Sequence, residues 1–104
     1  MIENNIDEFN KKFNQALERT LQTIGLFIDG EAVVRCPVDT GNLRSSISHK
    51  TDIKYKTIQI GASAEYALEV EKGTFKKRPQ PFIEPAVYDN IKKIEELAKR
   101  GMAI

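Results

Sequence analysis

Residues 36–47 read Cys36-Pro37-Val38-Asp39-Thr40-Gly41-Asn42-Leu43-Arg44-Ser45-Ser46-Ile47, and the fold turns on what flanks them. Asp-Thr-Gly also occurs in dimeric aspartic peptidases, where each subunit supplies one aspartate and the pair shares a proton to activate water. That chemistry needs an all-β chain, an apolar strand leading into the motif and a glycine-rich flap. Here a helical pattern and a proline lead in, and Asn42-Leu43-Arg44-Ser45-Ser46 follows. The preferred reading is a turn in which Asp39 or Thr40 accepts backbone N–H groups of a short helix over Asn42 to Ser46. A dimeric peptidase acting through Asp39-Thr40-Gly41 stands as the alternative.

Upstream, apolar residues fall at Ile2, Ile6, Phe9, Phe13, Leu17, Leu21, Ile24, Ile28 and Ala32, always three or four apart. This spacing predicts one amphipathic helix to about Val34. Pro37 ends it, because the residue before a proline is pushed out of helical space. Such a helix spans about 50 Å at about 1.5 Å per residue. A compact domain of this length is only roughly 30 Å across. Either Gly25 and Gly30 bend the helix, or another subunit covers part of its stripe.

Downstream, Ile53 and Tyr55 share one parity while Ile58 and Ile60 share the other. The switch predicts a hairpin with arms near 46–52 and 56–61. Tyr66 to Glu71 reads as a short helix or strand ending at Gly73, and residues 75–81 as a polar loop. Pro85 suits the first turn of a last helix over 85–101. Val87, Ile91, Ile94 and Ala98 give its stripe, and Gly101 suits the residue just past its end. The expected fold is α+β: a long N-terminal helix and a C-terminal helix packed on a small antiparallel sheet. One domain over 1–104 is expected, with the long helix at 1–35 and the motif-bearing region at 36–85.

The chain has 104 residues, enough for one modest core. Its net charge of +1 gives no global signature of polyanion binding. A single cysteine, Cys36, forms no internal disulfide, which suits a reducing cytoplasm. No apolar run approaches the roughly 18 residues of a membrane span, so a soluble protein without membrane contact is expected. His49 has no acid or thiol at ligand spacing and reads as a surface residue; no metal or cofactor is assigned. Ser45 and Ser46 have no evident base. Lys72, Lys76, Lys77 and Arg78 place four positive charges in seven residues without an acid between them. Repeated around a ring, such a loop could touch DNA phosphates without reading bases. A solvated loop is the preferred reading.

Three motifs follow in order: Asp39-Thr40-Gly41-x-Leu43-x-x-Ser46-Ile47, Tyr66-Ala67-x-x-Val70-Glu71-x-Gly73-Thr74, and Gln80-Pro81-Phe82-Ile83-x-Pro85-Ala86. Together, over residues 33–90, they resemble the small tail-component or neck proteins of tailed phages and prophages, the HK-type "gene product ten" family. The resemblance implies a non-enzymatic, structural role in head–tail joining or tail completion, in rings expected to be hexameric. It implies partners in further copies of the chain, head-connector proteins, and tail-tube or tail-terminator proteins, with non-specific passage of DNA. It also implies a place in the bacterial cytoplasm during assembly and then in the virion neck or tail. No catalytic residue is carried over. The motif residues are expected to be structural: a cap at Asp39 with Thr40 and Gly41, an apolar anchor at Leu43 near Ser46, Tyr66 and Glu71 leading to a turn at Gly73 and Thr74, and a fixed helix entry from Pro81 and Phe82 to Pro85. The basic loop at Lys76, Lys77 and Arg78 lies outside the motifs.

Overall fold

Helix α1 runs unbroken from Ile2 to Arg35. A computed structural model describes residues 2–37, 41–64, 66–76 and 78–103, so Asp39, Thr40 and Lys77 lie outside the described residues. Leu17, Leu21, Ile24, Ile28 and Ala32 are buried on one face of α1, as their spacing predicts. Cys36 leaves the helix before Pro37 and is itself buried. The helix is not interrupted at Gly25 or Gly30, and Gly25 serves a different purpose. A Cβ built there would lie 2.4 Å from Cδ2 of His49, so the missing side chain makes room for that ring.

After α2 (Gly41–Ser46), strands β1 (Ile47–Asp52) and β2 (Thr57–Ala62) pair antiparallel, with Ile47 opposite Ala62 and Asp52 opposite Thr57. The inner face carries Ile47, His49, Thr51, Ile58, Ile60 and Ala62, while Ser48, Lys50, Asp52, Thr57 and Gln59 face solvent. This alternation is what a sheet with one covered face requires. The hairpin closes over residues 53–56, where Lys56 adopts φ 54 and donates its N–H to the Ile53 carbonyl at 3.3 Å.

The chain continues as α3 (Ala67–Lys72), α4 (Glu84–Tyr88) and α5 (Ile91–Gly101). The last helical pattern is thus two helices, not one over 85–101. Asn90 causes the break: its side-chain Nδ2 donates to the Ala86 carbonyl at 2.9 Å, and its backbone N–H turns to Val87 instead. A continuous helix would give the Ala86 carbonyl to that backbone N–H. α5 packs on α1 through Ile94, Leu97 and Ala98, whereas Ile91, expected in the stripe, is exposed. Gly101 is the last helical residue, not the one beyond it. A Cβ there would sit 2.0 Å from Oγ1 of Thr20, so glycine permits the close approach of α5 to α1.

The architecture is α+β, with the hairpin and the α4–α5 pair on neighbouring flanks of α1. Leu43, Phe82, Ala86, Ala67 and Cys36 complete the core with Ile24, Ile28 and Ala32. The core ends well before α1 does. Ile6 and Phe9 are exposed and Phe13 is half-buried, so the apolar stripe runs on past the core. This overhang stretches the molecule to 66 × 25 × 21 Å.

Candidate functional site

Two of the three sequence motifs meet at one carboxylate. On α3, residues 67, 70 and 71 share a face. Ala67 and Glu71 are buried there and Val70 packs on the core. Glu71 Oε1 accepts the backbone N–H groups of Phe82 at 3.1 Å and Ile83 at 3.0 Å, and Oε2 accepts that of Glu84 at 3.1 Å. These are donors at the entrance of α4, where a helix cannot satisfy its own N–H groups. Pro85, in the first turn of α4, has no N–H to satisfy. A side chain from a preceding helix therefore acts as the cap. Charged acceptors make hydrogen bonds of this kind stronger than neutral ones.

The same clasp closes a loop. Gln80 donates its N–H to the Val70 carbonyl at 2.8 Å, and Gly73 donates to the Glu69 carbonyl at 2.7 Å. Gly73 reverses the chain at φ 77, a backbone region that L side chains rarely adopt. Between these pins Thr74, Phe75, Lys76, Arg78 and Pro79 are exposed. Phe75 is 96% exposed, and the Lys76 ammonium lies 5.5 Å from its ring centre. Lys72 is not a free charge: it pairs with Glu84, and that hydrogen bond raises its pKa above the ordinary lysine value. Of the basic cluster read from the sequence, Lys76 and Arg78 project with the loop, and Lys77 lies outside the described residues.

The first motif contributes to the core and to the end of α1. Leu43 is fully buried in the cluster that holds Phe82. Ser46 Oγ donates to the Leu43 carbonyl at 2.8 Å, closing α2. Arg44 Nη2 donates to the Cys36 carbonyl at 3.2 Å, placing a cation at the negative end of α1. Tyr66 packs partly buried at the start of α3. Pro81 is exposed beside Phe82. The expected cap at Asp39 and Thr40 lies outside the described residues.

His49 departs from its expected surface position. Its side chain is only 10% exposed, with Nδ1 2.5 Å from Asp29 Oδ2 and Nε2 2.7 Å from Gln22 Oε1. It ties β1 to α1. Its parity with Ile47 and Thr51 on the inner face was a signal for this. For Glu71 the signal was its place on the apolar face of α3.

The hairpin is a two-stranded sheet, and among the described residues neither outer edge has a further strand. No group of three or more His, Cys, Asp or Glu residues that could hold a metal occurs among the described residues. Among them, no helix is long and apolar enough to cross a membrane. The surface offers strand edges, a clasped loop and a projecting helix, which are elements suited to contact with other chains. In comparison with known families, the family described as "Bacteriophage HK97-gp10, putative tail-component" matches residues 1–73. No curated protein and no solved structure matches the chain.

Proposed function

This chain belongs to the HK97-gp10-like phage tail-component family, and we propose that it acts in head–tail joining or tail completion as the subunit of a ring. The observation that carries this reading is the hairpin, whose two outer edges are unpaired among the described residues. Unpaired strand edges invite another chain, and a closed ring of subunits removes them. Around such a ring, six copies being the expected number, β1 or β2 of one subunit meets its neighbour. The loop from Gly73 to Pro81 lies at a subunit boundary or faces the central channel. Head-connector proteins would contact one face of the ring, and tail-tube or tail-terminator proteins the other. DNA would pass through the centre, touched at most through phosphates by Lys76, Lys77 and Arg78.

The role is non-enzymatic, in keeping with the family's description as a tail component. The peptidase alternative needs an all-β chain, and the α+β fold does not provide one. Assembly would take place in the bacterial cytoplasm, ending in the virion neck or tail. Electron microscopy of particles made without this chain tests the proposal. Separate DNA-filled heads and unattached or incomplete tails are expected. Normal particles of full infectivity would refute it.

A further inference from the structure

We propose that the outer face and tip of the hairpin bind the phosphates of duplex DNA without reading its sequence. Only one face of this two-stranded sheet is covered, by α1. The other carries no apolar side chain: Ser48, Lys50, Asp52, Thr57 and Gln59 project from it into solvent. Lys54, Tyr55 and Lys56 are exposed at the turn. Residues 47–62 hold three cations and one acid, net +2, in a chain whose total is only +1. Asp52, the one acid, is engaged by the turn itself, where its Oδ1 accepts the Tyr55 N–H at 3.3 Å. Among the described residues, none of Lys50, Lys54 and Lys56 has an ion-pair partner.

Lys56 separates a binding role from a folding role. Among the described residues it is the non-glycine residue with positive φ, at 54. Glycine or asparagine occupies that region with less strain. The turn does not need a lysine there, whereas an anion bound at the tip does. Backbone strain kept at an exposed position points to such a role.

The chemistry of the face selects the ligand. Lysine, serine, threonine, glutamine and tyrosine are the side chains that donate to phosphate oxygens. Tyr55 is 67% exposed and stands with the Lys54 ammonium 5.4 Å from its ring centre, so a hydroxyl and a cation are presented together. A two-stranded ribbon is slim enough to enter the major groove of B-DNA, about 12 Å wide, whose walls are lined with phosphates. An acidic protein surface offers charge but no such slot. Three phosphate contacts make the binding weak, of the order of 10⁻⁴ M. The site is separate from the loop of Lys76 and Arg78. It belongs to the single chain, so it stands or falls independently of the ring.

NMR titration of the full chain with a short mixed-sequence DNA duplex tests it. At about 50 mM salt the amides of residues 48–59 should shift, and affinity should fall roughly twentyfold by about 150 mM, as three released counterions require. Lys56→Gly should leave the thermal unfolding midpoint unchanged or raised while weakening binding about three- to tenfold. Lys54→Glu with Lys56→Glu should abolish the shifts and leave the circular dichroism spectrum intact. Lysines that only keep strand edges soluble would leave the hairpin amides unmoved. The proposal is overturned by that result, by shifts centred on Lys76 and Arg78 instead, or by Lys56→Gly binding as wild type. It is also overturned if poly-glutamate moves the hairpin amides as readily as DNA, which would assign the face to an acidic protein.

Discussion

The carboxylate of Glu71 accepts the backbone N–H of Phe82 at 3.1 Å, joining the end of α3 to the entrance of α4 across eleven residues. With its bonds to Ile83 and Glu84, this side chain fixes both ends of the exposed loop. It also seats Phe82, which is fully buried, in the core. One acid thus links local chain reversal to core packing and to the presentation of a surface loop.

Glu71→Ala should destabilise the chain by at least about 1.5–3 kcal/mol, because hydrogen bonds to a charged acceptor are lost and a buried N–H is stranded. Glu71→Gln should cost less, since its amide oxygen can still accept from Phe82 and Ile83. Urea unfolding of the two variants checks the order. Equal stability of Glu71→Ala and wild type would mean that water replaces the cap without loss.

The helical glycines should divide. Gly30→Ala meets nothing within 4 Å and should stabilise by up to about 1 kcal/mol through helix propensity. Gly25→Ala and Gly101→Ala should instead destabilise, because the new methyl group collides with His49 or Thr20. Thr20→Ala should relieve part of the Gly101→Ala loss, a coupling that a double-mutant cycle measures directly.

Two positions on the same stripe of α1 should behave differently. Leu21 is buried, and Leu21→Ala should cost about 2–5 kcal/mol. Phe9→Ala, at an exposed site, should stay within about 0.5 kcal/mol in dilute solution. Thermal unfolding at low protein concentration compares them. A large loss at Phe9 would mean that the projecting helix folds back on the body.

Changing Lys76, Lys77 and Arg78 together to Glu should alter stability by no more than about 0.5 kcal/mol, because Lys76 and Arg78 are exposed. Infectious titre is expected to stay unchanged. With Lys72 already paired to Glu84, the local positive charge is smaller than the sequence alone implied. A fall in titre, with DNA retention that drops steeply with salt, would instead assign the loop to a DNA channel.

Periodicity carried the elements that are regular over many residues. The stripe of α1 and the parity switch at the hairpin could both be read directly, as could the proline that starts α4. What escaped depends on partners distant in sequence. Gly25 looks like a kink in isolation, and only the ring of His49, arriving from β1, explains it. Gly101 looks like a helix terminator, and only Thr20 explains it. The split between α4 and α5 rests on the rotamer of one side chain, Asn90, which periodicity does not register. Of the candidate site, the motif residues were legible. The bond that unites two of the motifs was not, because a carboxylate thirteen residues from its farthest donor leaves no local pattern.

The central claim, that strand edges and the clasped loop are joined between subunits in a ring, is tested most directly by cysteine cross-linking inside assembled particles. Lys50→Cys on β1 with Arg78→Cys in the loop supplies exposed thiols, while Cys36 stays buried. The ring predicts a ladder of cross-linked species that ends at one closed oligomer, formed in particles. Monomer bands alone, under conditions where the thiols react, would contradict it.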